Sequence, residues 1–246
     1  MYYEEVEIQT LDRERLGAYL GLLGLHRGDG VAAYDAAAEA YDGFARIWDD
    51  RIAAPALAHF NALVAQHIKP GANVLDAGAG TGERTRVLLR HGATAHVVAL
   101  DGSQAMLALA KGKLRDPRVA FVRGDVTRLP FPDSSFDLVA STWVVETLDD
   151  PRLAVREFVR VIKPEGVAVY TFCSLPEGRG GSLLRRVIEL VAPDSGPLSV
   201  LLPEPERPFH QCEHSSLRQF SGGLTTVAVV AKCCVIEPVH LPCKLP

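Results

Sequence analysis

A glycine-rich turn between an apolar run and a helical pattern is the strongest chemical signal in the chain. Val74-Leu75-Asp76 predicts a buried strand, and Gly78, Gly80 and Gly82 alternate directly after it, where a helix begins. Glycines let the backbone come close to a ligand, and the amino end of a helix offers N–H donors and a positive dipole. We therefore predict that this loop binds an anionic group, the alternative being a tight turn that binds nothing.

The glycine spacing counts against a nucleotide phosphate. A dinucleotide-binding loop has the pattern G-x-G-x-x-G, but counting from Gly78 the last position is Glu83, whose carboxylate would repel a pyrophosphate. The chain also has no G-x-x-x-x-G-K-[ST] string, the pattern of a nucleoside triphosphate loop. NAD and ATP are therefore disfavoured as ligands.

Two acidic residues end the next two predicted strands. Asp101 closes the apolar run 97–100, 19 residues after Gly82, and Asp125 follows the run 119–122. An acid at the end of the second strand can accept from both hydroxyls of a ribose, whereas the alternative roles of these acids are a helix cap and a turn residue. A glycine loop with two strand-end acids and no phosphate-binding lysine describes a nucleoside that carries an amino acid. That ligand is S-adenosylmethionine.

The elements that must position these residues alternate between strand and helix. Strands are predicted at 74–75, 97–100, 119–122, 136–140 and 166–172, with helices at 82–90, 103–111 and 151–161. Beyond them, 214–220 and 224–231 flank Ser221-Gly222-Gly223, which indicates a hairpin. The alternation predicts a parallel sheet wound with helices on both faces.

Helical patterns at 11–25, 31–48 and 53–67 precede the sheet, and a Pro- and Gly-rich segment interrupts it late. We predict that residues 1–70 are a helical cover of the same domain, and that 71–246 form the core with an insertion at about 176–210. The cover and the insertion would form the pocket for a second substrate.

Composition limits the partners. Hydrophobic residues make up 48% of the 246 residues, which excludes a disordered chain, and 26 Lys+Arg against 30 Asp+Glu leave no positive excess for nucleic acid. No apolar run approaches the roughly 20 residues that span a bilayer. The acidic first residues do not suit a signal peptide, and the odd number of cysteines, 5, favours thiols over disulfides. We expect a cytoplasmic monomer or homodimer without a membrane span.

The motifs quoted above resemble those of class I S-adenosylmethionine-dependent methyltransferases, especially the small-molecule branch that includes quinone-biosynthesis methyltransferases. The resemblance is dense from Tyr34 to Phe172, and its further motifs are 98–101, 124–126, 129–131, 135–139, 160–166 and the hairpin segment 220–225. It implies an α/β, doubly wound, Rossmann-like sheet of seven strands, six parallel and one antiparallel. It also implies S-adenosyl-L-methionine as cofactor and S-adenosyl-L-homocysteine as product.

The resemblance also implies a role for each matching position. The methionine end of the cofactor would face Asp76, Gly78, Ala79, Gly80, Thr81, Gly82 and Ser141. Asp101 would hold the ribose, and the adenine would lie among Gly102, Met106, Asp125 and Val126. Tyr34 and Tyr41, seven residues apart on one helical face, would close the site from above. Met106 and the two tyrosines could instead be packing residues.

The acceptor side is predicted to include Trp143 and Glu146, which follow the fourth strand. Glu146 stands where relatives commonly have histidine, and a carboxylate in a closed pocket can have its pKa raised enough to act as a base. The alternative is a glutamate on the surface of a helix. Methyl transfer needs no base when the nucleophile arrives deprotonated, because alignment of the reacting atoms supplies much of the acceleration.

A cluster of thiols and imidazoles near the end of the chain gives a second possibility. If residues 210–214 are extended, His210, Cys212 and His214 share one face, and the hairpin brings Cys233 and Cys234 alongside. Such groups could hold a soft metal or metalloid, as in a thiol-dependent metalloid methyltransferase. Buried apolar thiols in a terminal strand and surface histidines are the favoured explanation, so no metal site is predicted.

We therefore predict transfer of a methyl group from S-adenosylmethionine to a small-molecule or lipid-like acceptor. The alternatives are a non-catalytic S-adenosylmethionine-binding protein and a nucleotide-dependent oxidoreductase.

Overall fold

Seven strands form one sheet in the computed structural model, which describes residues 30–173, 216–221 and 224–232. The strands are β1 (Asn73–Ala77), β2 (His96–Asp101), β3 (Val119–Arg123), β4 (Phe136–Thr142), β5 (Ile162–Cys173), β6 (Ser216–Phe220) and β7 (Thr225–Ala231). Their order is β3-β2-β1-β4-β5-β7-β6, and β7 runs antiparallel to both of its neighbours. The predicted sheet of six parallel strands and one antiparallel strand is confirmed.

Five α-helices accompany these strands in the described ranges: α1 (Gly30–Trp48), α2 (Ala54–His67), α3 (Glu83–His91), α4 (Gln104–Lys113) and α5 (Pro151–Val161). Local caps fix where α4 and α5 begin. The Ser103 side chain accepts from the Met106 N–H at 3.1 Å, and the Asp150 side chain accepts from the Arg152 N–H at 3.0 Å. None of the helices described is long and apolar enough to cross a membrane.

Two short helices complete the list, a π-helix (Asp49–Ala53) and a 3₁₀ helix (Val145–Thr147). The π-helix joins α1 directly to α2, so the two helices predicted at 31–48 and 53–67 are continuous. No local sequence motif predicts a π-helix. Such turns occur often at functional sites.

Apolar side chains of the strands alternate between the two faces of the sheet. Leu75 packs in the layer that contains Phe158 of α5, whereas Val74 packs in the layer that contains Phe60 of α2 and Leu88 of α3. Each of these large side chains is almost completely buried and contributes roughly 1.5–3 kcal/mol to folding. The two layers therefore hold the ends of the central strands in fixed positions.

β5 begins earlier than the predicted strand at 166–172. Ile162 already pairs with Phe136, and the pairing of β5 with β4 then shifts register before Val167. Gly166 lies where a Cβ would come within 2.9 Å of the Asp137 carbonyl oxygen, so the close approach of the two strands requires glycine there.

The chain order reverses between β1 and β4, since β1 has β2 on one side and β4 on the other. At such a switch point the connections leave the sheet in opposite directions and open a crevice at the carboxyl ends of the strands. The predicted leader helix at 11–25 and the insertion at 176–210 lie outside the described residues, so the predicted division at residue 70 stays a prediction.

Candidate functional site

A cavity of about 540 Å³ opens at this crevice, beneath α1. Its volume is in the range of roughly 300–1,000 Å³ that is typical of small-molecule sites. Ten of the predicted site residues line it: Tyr34, Tyr41, Gly78, Gly80, Asp101, Gly102, Met106, Asp125, Val126 and Trp143. The topology thus brings residues from α1 and from the ends of four strands to one place.

The glycine loop lies on the end of β2. The N–H groups of Gly78 and Ala79 both donate to the Leu100 carbonyl oxygen, at 2.8 and 2.9 Å, and the Gly80 N–H donates to the Asp101 carboxylate at 2.8 Å. A phosphate-binding loop points such N–H groups at its ligand. Here these three N–H groups donate within the protein, and the predicted binding of an anionic group at the amino end of the helix stays a prediction.

The three loop glycines meet different surroundings. A Cβ on Gly78 would come within 2.2 Å of the Val144 side chain, and one on Gly82 within 2.7 Å of Leu114, so both allow close packing. A Cβ on Gly80, where φ is 51°, would meet no atom within 4 Å. Because Gly80 lines the cavity, this open space is where a ligand can approach the backbone.

Asp101 joins the loop to the start of α4. One carboxylate oxygen accepts from the Gly80 N–H and the other from the Ser103 N–H, both at 2.8 Å. Burial raises the pKa of Asp101, and the two backbone hydrogen bonds oppose that rise. Each oxygen of an ionised carboxylate has a second lone pair, so Asp101 can still accept two hydroxyl donors from the cavity.

The third-strand end of the cavity combines apolar and polar groups. Met106 is 2% exposed and lines the cavity wall. One oxygen of Asp125 accepts from both the N–H and the hydroxyl of Thr127, at 2.8 and 2.7 Å, which leaves its other oxygen for a ligand. Arg123, which sequence reasoning missed, also lines the cavity and donates to the Gly102 carbonyl oxygen at 3.1 Å.

Tyr34 and Tyr41 of α1 form the roof of the cavity, with ring centroids 6.4 Å apart in an edge-to-face arrangement. Burial, the neighbouring Tyr34 and the Asp101 carboxylate raise the pKa of Tyr41 well above its ordinary value. The Tyr41 phenol is therefore neutral throughout the physiological pH range, and its hydroxyl keeps the proton that it can donate.

Trp143 follows β4 with φ of 58°, an uncommon conformation for a bulky residue. The backbone N–H of Trp143 approaches the carbonyl and hydroxyl oxygens of Thr171, at 3.4 and 3.3 Å. The indole ring lies edge-to-face with that of Trp48, 5.9 Å between centroids. Strained residues of this kind cluster at functional sites. In this conformation the indole lies against the end of α1 and lines the cavity.

Six predicted site residues are not on the cavity wall: Asp76, Ala79, Thr81, Gly82, Ser141 and Glu146. Asp76 is 1% exposed beneath the loop and accepts from the Thr85 hydroxyl at 2.5 Å, while the Ser141 hydroxyl donates to the Ala77 carbonyl oxygen at 2.7 Å. The Thr81 hydroxyl donates to Asp42 of α1. These groups hold the loop from below and from above, and their predicted ligand contacts stay predictions.

Glu146 is buried in the segment that follows β4. It is 2% exposed, and one carboxylate oxygen accepts from the Cys173 N–H at 3.2 Å. Burial and the nearby Glu146 raise the pKa of the Cys173 thiol well above its ordinary value. The structure therefore does not place Glu146 at the surface, nor beside Trp143 on the wall, and its role as a base stays a prediction.

Sequence reasoning missed several lining residues: Gly30, Val31, Ser103, Arg123, Gly124, Thr142, Val144, Thr147 and Leu148. Most directly follow or precede a predicted site residue at a strand end, so the strand-end rule could have found them. Val31 gives no such signal. The thiol and imidazole cluster at 210–214 and 233–234 lies outside the described residues.

Part of the chain is similar in sequence to known methyltransferases. Residues 75–170 match the family model described as "Methyltransferase domain". The demethylmenaquinone methyltransferase of Clavibacter sepedonicus is 42% identical over 107 residues, 43% of each chain, and that of Streptomyces griseus is 37% identical over 150 residues, 60% of this chain and 59% of the relative. The chain spans about half the length of the curated relatives it matches.

A solved structure shares the fold. The TehB-like S-adenosylmethionine-dependent methyltransferase from Corynebacterium glutamicum superposes with a TM-score of 0.51 at 22% identity, covering 82% of this chain and 98% of that one. The predicted resemblance to class I S-adenosylmethionine-dependent methyltransferases, and to quinone-biosynthesis enzymes among them, is confirmed.

Proposed function

We propose that this chain, whose residues 75–170 match a methyltransferase domain, binds S-adenosylmethionine beneath α1 and transfers its methyl group to a small-molecule or lipid-like acceptor. When bound, this cofactor supplies a methyl group on a positively charged sulfur. The observation that carries the proposal is the glycine loop, which closes its own N–H groups onto β2 and leaves open space at Gly80 beside the Asp101 carboxylate. That arrangement suits a ribose with an amino acid and does not suit phosphates.

The lining residues fit the parts of the cofactor. Asp101 would accept from the ribose hydroxyls, since both of its oxygens keep a lone pair. Met106 would pack on the adenine, and the unoccupied oxygen of Asp125 would accept from its amino group. Gly80 would let the ligand lie against the loop backbone.

The acceptor would enter on the side of Trp143 and of the segment that follows β4. Trp143 would hold it against the reacting methyl group, and the neutral Tyr41 hydroxyl in the roof is a donor within the same cavity. Alignment of nucleophile and methyl carbon supplies much of the rate in such a transfer. The segment at 176–210 would complete the acceptor pocket.

The charge balance and the relatives support a small acceptor. The net charge of -4 provides no attraction for a nucleic acid backbone, and the relatives named above act on demethylmenaquinone. The cytoplasmic location and the monomeric or homodimeric state stay predictions.

Two measurements test the proposal in sequence. Calorimetric titration of the full chain should show saturable binding of S-adenosylhomocysteine and no binding of NAD, and the reverse result would indicate an oxidoreductase. Incubation with methyl-labelled cofactor and fractionated metabolite or lipid extracts should then transfer label to an extractable compound. Binding without transfer to any fraction would indicate a non-catalytic cofactor-binding protein.

A further inference from the structure

Three aspartates on one side of α1 bind core residues beside the cavity. Asp35, Asp42 and Asp49 follow one another at intervals of seven residues, and Asp49 opens the π-helix that continues α1. Seven residues are about two helical turns, so the three carboxylates form a row along one face. We call these residues the aspartate row.

The outer two aspartates bind two different helices, α4 and α3. Asp35 accepts from the Ser103 hydroxyl at 2.5 Å and from the Ala105 N–H at 3.0 Å, at the start of α4. Asp49 forms an ion pair with Arg84 of α3 at 2.7 Å. The ends of the row are therefore fixed to two different elements of the core.

The middle aspartate binds the loop itself. One oxygen of Asp42 accepts from the Thr81 hydroxyl, and the other forms an ion pair with Lys113 at the end of α4. Because Thr81 lies between Gly80 and Gly82, this contact ties α1 directly to the segment that opens onto the cavity.

An aromatic row runs beside the aspartate row, one residue earlier in each repeat: Tyr34, Tyr41 and Trp48. Tyr34 and Tyr41 line the cavity from above, and Trp48 packs against Trp143 of the wall. The same helix therefore covers the cavity with the aromatic row and binds the core beside it with the aspartate row.

Among the residues that the structure describes, few side chains of α1 are completely buried. Ala38 is its single buried residue, while Val31 and Ile47 are 42% and 55% exposed. Besides the packing of Trp48 against Trp143, the polar contacts of the aspartate row therefore attach α1 to the core. Partly exposed contacts of this kind change an equilibrium by about two- to tenfold each, so they can be released and re-formed.

We propose that Asp35, Asp42 and Asp49 are positioning residues whose contacts hold α1 over the cavity, and we call these contacts the latch. The latch opens to let the cofactor enter and leave. The gating part of the proposal rests on the proposed function, whereas the latch itself is a property of the ligand-free protein.

Hydrogen exchange of the ligand-free full chain tests the latch. In Asp42→Asn, we expect the amides of residues 30–53 to exchange about two- to tenfold faster, with little change in the sheet. Glu39→Gln is the matched control, because it removes the same charge from an exposed position on the same helix and should exchange like the parent. Exchange of α1 in Asp42→Asn equal to that of the control would overturn the proposal. Asp35→Asn carries the same test if Asp42→Asn does not fold.

Stopped-flow binding of S-adenosylhomocysteine tests the gate. Trp48 and Trp143 are the two tryptophans of the chain and are in contact, so their fluorescence reports on the end of α1. If the latch must open, Asp42→Asn should speed association and dissociation by a similar factor of about two to ten, with the dissociation constant within threefold of the parent. Faster dissociation with unchanged association would overturn the gate.

The two readouts separate this inference from the proposed function. A parent chain that binds no S-adenosylhomocysteine would overturn the proposed function, and the exchange rates of α1 would still decide whether the aspartate row is a latch.

Discussion

At the scale of single residues, one carboxylate connects three parts of the site. Asp101 ends β2, accepts from the loop at Gly80 and from the start of α4 at Ser103, and faces the cavity. Its sequence position was enough to predict a ribose contact. Its two backbone hydrogen bonds were not foreseeable, because they depend on how the loop folds over the neighbouring strand.

Asp101→Ala should weaken binding of S-adenosylhomocysteine by about ten- to a hundredfold, because charge-assisted hydrogen bonds to the ribose are lost. Asp116→Ala is the matched control: Asp116 also accepts from the backbone N–H two residues later, at Arg118, but does not line the cavity. Calorimetry of both variants measures the difference. A dissociation constant for Asp101→Ala within twofold of the parent would remove the ribose role.

Gly80→Val should abolish cofactor binding while the protein remains folded, because the side chain would enter the open space beside the loop. Gly71→Val provides the control, since Gly71 also has a positive φ, 74°, and no neighbour within 4 Å of a Cβ, but lies before β1 and away from the cavity. Both variants should lose similar stability in thermal unfolding. Normal binding by a folded Gly80→Val protein would show that the loop does not touch the ligand.

Asp76→Asn should become more stable relative to the parent as pH rises. Burial raises the pKa of Asp76 from 3.8 to about 6, so between these values the folded state holds more protons than the unfolded chain, and the stability of the parent falls with increasing pH. The difference in unfolding free energy between variant and parent should grow by roughly 2–3 kcal/mol in favour of the variant between pH 4 and 7. Chemical denaturation at both pH values measures it.

Asp137→Asn is a control of opposite sign. Burial raises the pKa of Asp137, but hydrogen bonds from Lys163 and the Asn73 N–H outweigh it, so the folded pKa is lowered. The parent gains stability from this carboxylate as pH rises from the folded pKa to the unfolded value of 3.8. The Asn variant should therefore lose stability relative to the parent over that acidic range and change little against it between pH 4 and 7. The same pH trend in both variants would contradict the assigned burial of Asp76.

At the scale of elements, local patterns predicted the strands and helices, and tertiary contacts decided the rest. The apolar runs at 97–100 and 119–122 and the caps at Ser103 and Asp150 carry their own signals, so β2, β3, α4 and α5 could be predicted. The π-helix after Trp48 and the early start of β5 could not, because both result from packing against distant segments.

The segment after β4 shows the same limit at the site. The spacing of Trp143 and Glu146 suggested that both face the acceptor. In the structure, the positive φ of Trp143 and the 3₁₀ helix that follows turn Trp143 to the cavity and Glu146 inward to Cys173. Sequence spacing alone gives no sign of a residue in the left-handed region other than glycine.

Trp143→Ala should lower turnover at least tenfold and leave the affinity for S-adenosylhomocysteine within about threefold of the parent, because loss of a positioning wall affects alignment more than cofactor binding. The labelled-methyl assay and calorimetry measure the two quantities. Trp143→Gly should be no less stable than Trp143→Ala, since glycine adopts φ of 58° without steric cost. Equal loss of affinity and turnover would place Trp143 on the cofactor side.

At the scale of the whole molecule, the site is an assembly of parts from distant positions in the chain. The switch point between β1 and β4 makes the crevice, the glycine loop forms its floor and α1 forms its roof. The crevice follows from the order of the strands. The sequence predicted a doubly wound sheet but not that order. The roof depends on contacts between the aspartate row and residues as distant as Lys113, which a single sequence does not reveal.

A crystal structure of the full chain soaked or grown with S-adenosylhomocysteine tests the central claim most directly. The account predicts that the ligand lies beneath α1, with its ribose hydroxyls within hydrogen-bond distance of the Asp101 carboxylate. One side of the ligand should lie against the backbone of Gly80. The N–H groups of Gly78 and Ala79 should remain bonded to the Leu100 carbonyl oxygen. A ligand bound elsewhere, or bound in this cavity without contact to Asp101, would contradict the account.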